Sequence, residues 1–293
     1  MWYTTIPGLT QGGAQVIAVD LPGFDRSDKP VLDTERDPQT YDVLGDAITD
    51  WFGKVVVPLG NNRRVTVVGQ DWGGWTALRS IAAHPSAVAG HVSINAPYLG
   101  ISNFSISCKN APPGESWFVA AAKSTEAMLN WQRWMKRLKA PDAGAMMQNI
   151  GSPAFRTTIR NLTAEEKAAF DAPMLNVSFY SVLYAMPTWL DDLIFESPAK
   201  SAGRARDDKL FRDIFAPGKP GAHIAVLTLG SNENFDRPAA YQIQCVYPGA
   251  AGQPHHEYAR GEASHYSPMD VGPDMAQRIL NFTRSLPMPT PTL

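Results

Sequence analysis

RVTVVGQDWGGW, Arg64 to Trp75, runs from a β-branched segment into a helical one with only a glycine-rich turn between them. Arg64 to Gly69 reads as a buried strand. From Gly74 to Ala83 the apolar residues fall at helical spacing, and His84-Pro85 stops the helix. The hinge is Gly69-Gln70-Asp71-Trp72-Gly73-Gly74. A chain that turns this sharply has little room for side chains on its flanks, so glycines bracket one residue that is pushed out at the top of the sheet. That residue is Asp71. It stands where the helix begins, and helix N–H groups and the helix dipole favour a carboxylate. A carboxylate presented in this way can attack an sp³ carbon and form an ester. The plainer alternative is an Asp N-cap on an ordinary strand-to-helix turn.

Outward from this point the alternation continues. Ala14 to Asp20 (AQVIAVD) is a β-branched run ended by Leu21-Pro22-Gly23 and predicts a buried strand. Tyr41 to Val57 predicts a helix, and Gly90 to Asn95 (GHVSIN) a further strand closed by Ala96-Pro97. Strands separated by helices predict an α/β fold, a mainly parallel sheet flanked by helices. From residue 98 to 219 the pattern is helical and punctuated by prolines, so these residues read as an inserted helical cap between a first core segment (1–97) and a second (220–293). Ile224 to Gly230 (IAVLTLG) restores the strand pattern. His255 to Ala259 continues it weakly, a helix over about 274–285 closes the fold, and the proline-rich tail is expected to be loose.

Composition narrows the function classes. The chain has 293 residues, 44% of them hydrophobic, and a net charge of −2, so nothing argues for nucleic acid or an anionic membrane surface. No apolar run approaches the ~18 residues of a membrane span. The N-terminus lacks the pattern of a signal peptide. Two cysteines, Cys108 and Cys245, are too few for a disulfide framework and fit a reducing compartment. The expectation is a cytoplasmic enzyme or binding domain, and a monomer.

Nucleophile on a strand-to-helix elbow, then an acid, then a histidine is the chain order of the α/β hydrolases, whose elbow reads G-x-S-x-G with serine. After IAVLTLG comes Ser231-Asn232-Glu233-Asn234-Phe235-Asp236, where Glu233 and Asp236 are both candidates for the acid. Gly261-Glu262-Ala263-Ser264-His265-Tyr266 lies between the last strand and the last helix, and makes His265 the candidate base. His255 and His256 compete in chemistry but lie within the weak strand, while His84, His91 and His223 read as structural. No His, Cys or carboxylate group has metal-ligand spacing, and no cofactor is expected.

VIAVDLPGFDRSDKP (Val16–Pro30), VVGQDWGGW (Val67–Trp75), PGAAGQPHH (Pro248–His256) and the ASH of Ala263–His265 resemble haloalkane dehalogenases and the related epoxide hydrolases. LTAEEKAAFDAP (Leu162–Pro173) and Met128-Leu129-Asn130-Trp131 are similar to the dehalogenase branch. The resemblance covers nearly the whole chain. It implies the α/β-hydrolase fold, Asp71 as nucleophile, His265 as base and Glu233 as supporting acid. Many dehalogenases carry Asp where this chain has Glu233. Another branch carries its acid where this chain has Asn95, which favours the later position. The resemblance further implies that Trp72 and Trp131 hold the halide, with Trp134 the alternative to Trp131. Indole N–H donates without accepting, which suits a leaving anion. The implied partners are a halogenated alkane and a halide ion.

Two readings compete with a dehalogenase. An epoxide hydrolase would share Asp71, Trp72 and His265 and use cap tyrosines, for which Tyr180 and Tyr184 are available. A non-catalytic remnant or ligand-binding module is the other. No His-Gly dipeptide occurs, although the family has a His-Gly-x-Pro segment, and Asp25 stands where the family usually has a second glycine. The chain is therefore expected to lack a strand between those matched by Ala14–Asp20 and Arg64–Gly69, at a cost in stability and activity.

Overall fold

The β-branched runs become strands of one sheet, with helices packed on both of its faces. In the computed structural model, which describes residues 1–29, 40–61, 63–96, 158–174, 209–231, 240–241, 243–245 and 247–287, four strands form that sheet. They are β1 (Val65–Gln70), β2 (Val88–Ile94), β3 (Ala225–Ser231) and β4 (His255–Tyr258). Their order in space follows the chain, β1-β2-β3-β4, and every pairing is parallel. Val65 lies opposite Val88 and Thr66 opposite Gly90, so β2 carries one extra residue at its start.

The helices used below are α1 (Ile6–Gln11), α2 (Thr40–Trp51), α3 (Trp72–Ala83), α4 (Ala164–Asp171) and α5 (Gly272–Ser285). Each sheet face has its own core. On one, Val92 and Ile94 of β2 and Leu227 and Leu229 of β3 meet Met275, Ile279, Leu280 and Phe282 of α5, with Leu9 of α1 at the edge. The buried positions of α5 recur at three- and four-residue steps, which gives the helix one apolar stripe. On the other face, Val226 and Val88 meet Leu78, Ile81 and Ala82 of α3, with Phe52 and Val56 beyond. Ile81, Ile94 and Leu229 are completely buried. Each contributes about 1.5–3 kcal/mol relative to an exposed side chain. α3 is buried on nearly all sides, so the one charge in it needs partners. Arg79 pairs with Asp46 of α2 at 2.5 Å and lies 5.0 Å over the Trp75 ring.

The buried strand expected over Ala14–Asp20 does not form. Ala14 and Val16 pack on the first core, but Ile17 is 43% exposed and Val19 40%. β-branched residues favour extended backbone, yet a strand exists only through a partner about 4.8 Å away. Among the described residues the sheet ends at β1 and nothing pairs with 14–20. The edge of the strand that leads to Asp71 is where the family resemblance puts a further strand.

Of the expected helical insertion, 158–174 and 209–219 are described, and the rest lies outside the described residues. α4 begins with a reciprocal cap between Thr163 and Glu166. Arg160 grips the Glu166 carboxylate with both terminal nitrogens, at 2.6 and 2.8 Å, and Tyr3 donates to the same carboxylate. The Arg160 guanidinium holds the Glu166 carboxyl well below the usual carboxylate range. This segment is thereby tied to the N-terminus. No helix among the described residues is long and apolar enough to cross a membrane.

His91 gives the fold an acid limit. Its ring is 2% exposed on β2, and its Nδ1 donates to the Val67 carbonyl at 3.2 Å, while Nε2 has no hydrogen-bond partner among the described residues. Burial pushes its pKa down to about 4, against an ordinary value of 6.5. Between those values the unfolded chain holds a proton that the folded chain does not, so stability falls as pH falls. It is intact above about pH 6.5 and lower by about 3 kcal/mol on reaching pH 4. Urea unfolding at pH 7, 5.5 and 4.5 is expected to show this slope in the parent and a flatter one in His91→Leu. Equal slopes would assign the acid sensitivity elsewhere.

Candidate active site

The elbow is built by close backbone approach. A Cβ added at Gly69 would lie 2.5 Å from the Gly74 Cα, and one at Gly74 would lie 2.3 Å from the Ala96 Cβ. Both positions therefore require glycine, whereas Gly73 faces open space. Between them Asp71 adopts φ 52° and ψ −129°, a region that L-residues avoid. Strain of this kind persists only when surroundings over-determine it. Here the Asp71 N–H donates to the Ile94 carbonyl at 3.1 Å, and the Gly74 N–H donates back to the Asp71 carbonyl at 2.9 Å. The carboxylate stands at the start of α3, and the adjacent Trp72 ring is buried.

His265 comes to this carboxylate from the far end of the chain. Its Nε2 lies 3.4 Å from Asp71 Oδ1, with the imidazole 7% exposed and the Asp71 side chain 22%. The loop that carries it is fastened from two sides. Asp270 accepts from the Ser264 N–H at 3.0 Å, from the Ser264 hydroxyl at 2.9 Å and from the Ile159 N–H at 3.1 Å. Asn95, buried at the end of β2 with φ 44°, donates through Nδ2 to the carbonyls of Ser264 and His265 and to Ser267 Oγ. Its Oδ1 accepts from the Ser231 N–H at 2.8 Å. Ser231 ends β3, so the chain leaves toward Glu233 from the same end of the sheet that presents Asp71.

Tyr266 packs its ring 5.2 Å from that of His265. Burial, and after it the charge of Asp71, push the phenol above its usual range, so it stays protonated and remains a donor.

The structure thus brings His265 to Asp71, with Trp72 next to it in the chain. Glu233, its alternative Asp236, and Trp131 with its alternative Trp134 lie outside the described residues, as do Tyr180 and Tyr184. The competing histidines are elsewhere. His91 is in the core, His255 Nδ1 meets Thr228 Oγ1 at 2.7 Å, and His256 packs edge-on against Tyr258. His84 faces Phe52. Among the described residues no group of His, Cys and carboxylates could hold a metal ion.

A family model described as the alpha/beta hydrolase fold matches residues 1–150. Over 288 residues the chain is 30% identical to a haloalkane dehalogenase of Mycobacterium marinum, covering 96% of this chain and 80% of that protein. A shorter match of 98 residues, 33% of this chain and 16% of the other, is 26% identical to bifunctional epoxide hydrolase 2 of Rattus norvegicus. Among solved structures, the tetrameric haloalkane dehalogenase of Paraglaciecola agarilytica is similar in fold. Its TM-score is 0.65 at 17% identity, over 97% of this chain and 79% of that one. Identity at the level of the Mycobacterium marinum protein, sustained over nearly the whole chain, means that this chain belongs to the haloalkane dehalogenases of the α/β-hydrolase fold.

Proposed function

We propose that this protein converts haloalkanes to alcohols and halide through an alkyl ester on Asp71. The observation that carries the reading is the strained presentation of Asp71 with His265 Nε2 3.4 Å from its Oδ1. In the first step a carboxylate oxygen of Asp71 forms a bond to the substrate carbon, and the carbon–halogen bond breaks. The halide leaves with the electron pair and is received by the indole N–H of Trp72 and of Trp131. In the second, His265 takes a proton from water as the hydroxide attacks the Asp71 carbonyl carbon. The oxyanion that forms is met by the Trp72 backbone N–H, and its collapse releases the alcohol and restores the carboxylate. Glu233 supports the imidazolium. No cofactor is needed.

The epoxide reading shares the nucleophile and the base, so product analysis separates the two. Incubation with 1-bromobutane is expected to release bromide and 1-butanol in equal amounts, and incubation with styrene oxide to give no diol above the uncatalysed rate. Diol without bromide would transfer the reading to epoxides. Neither product would leave a ligand-binding fold.

A further inference from the structure

The main-chain carbonyl of His265 accepts two side-chain amides, from Gln70 Nε2 at 3.1 Å and from Asn95 Nδ2 at 2.8 Å. We infer that Gln70 and Asn95 form a clamp that sets the height of the base over the nucleophile, and that the clamp governs hydrolysis of the ester rather than its formation. This rests on the function proposed above. A carbonyl oxygen can only accept, so the amide atoms facing it are nitrogens and their orientation is fixed. Both side chains are buried, and they come from the ends of adjacent strands, β1 and β2.

Gln70 is also bonded covalently to Asp71. One residue therefore carries the nucleophile on its backbone and holds the base with its side chain, so the two groups cannot drift independently. Its Nε2 further lies 3.4 Å from His265 Nε2. Alkylation requires only Asp71 and the departing halide. Hydrolysis requires the imidazole in register with Asp71, and that register is what the clamp holds. Gln70 and Asn95 are positioning residues, since both act on the base through its main-chain carbonyl.

Gln70→Met removes the donor at nearly equal length, and Asn95→Ala removes the second donor together with the acceptor for Ser231. Single turnover of 1-bromobutane is expected to show, for Gln70→Met, a bromide burst within about threefold of the parent and ester hydrolysis slowed on the order of tenfold or more. Intact mass should then find the alkyl-enzyme accumulated at steady state. Ester hydrolysis at the parental rate, or both steps slowed alike, overturns the clamp. Asn95→Ala at φ 44° can lose the fold, in which case Gln70→Met decides alone. A second reading needs no turnover. In ¹⁵N-histidine NMR the change in the His265 titration midpoint on Asp71→Asn measures the coupling between the two groups. That change should fall by at least about half in a Gln70→Met background. Undiminished coupling sinks the clamp even if the parent releases no bromide, an outcome that by itself would refute only the proposed function.

Discussion

Asp71→Asn is expected to stop bromide release from 1-bromobutane, with a loss on the order of 10⁴-fold or more, as for nucleophile removal in other covalent hydrolases. The amide nitrogen and oxygen are poor nucleophiles toward an alkyl carbon, and among the described residues no other carboxylate stands at the elbow to take over. His265 is held 3.4 Å away and Tyr266 keeps its proton. The substitution is nearly isosteric, and asparagine tolerates positive φ better than most residues, so the turn at φ 52° should survive. Loss of the charge at the start of α3 costs only about 0.3–1 kcal/mol. The thermal midpoint should therefore move by a few degrees at most while the activity disappears. A folded Asp71→Asn protein that keeps more than about a hundredth of parental turnover, with its mass unchanged by deamidation, would remove Asp71 from the chemistry.

Much of this architecture was legible because it is local. RVTVVG, GHVSIN and IAVLTLG are short β-branched runs bounded by turn signals, and each became a strand within about two residues of its expected bounds. The elbow was legible for the same reason. Gly69, Asp71 and Gly74 act on one another across a single turn, so their spacing contains the geometry. AQVIAVD failed because its strand character depended on a partner. The residues alternate correctly, with Val16 inward and Ile17 outward, but among the described residues no neighbouring backbone pairs with them.

Within the site the same division holds. Chain order alone proposes Asp71 and His265, and the fold brings the two side chains to 3.4 Å of each other. The Gln70 and Asn95 amides were not found, because residues 70, 95 and 265 meet only through β1–β2 pairing and the return of the chain after β4. A polar residue at the end of an apolar run is common at any strand terminus. From sequence, Asn95 is notable only as a position where another branch carries its acid. What it does is hold Ser231, Ser264, His265 and Ser267 together, which no local pattern encodes.

His265→Phe should separate the two halves of the reaction. The first step needs an ionised Asp71 and a place for the halide, and neither depends on the imidazole. The second needs a base, and loss of general base catalysis slows a step by about 10²–10⁴. The variant is therefore expected to release one bromide per protein and then stall as the alkyl ester of Asp71. Phenylalanine suits the position. It retains a ring to pack against Tyr266, and the site is already buried, so the loop should stay anchored by Asn95 and Asp270, whose bonds go to backbone and to serines. Intact mass spectrometry after incubation with 1-bromobutane should show one added butyl group, and peptide mapping should put it on Asp71. Sustained turnover would mean that another group activates water. A butyl group on a different carboxylate would move the nucleophile, and with it the mechanism, away from the elbow.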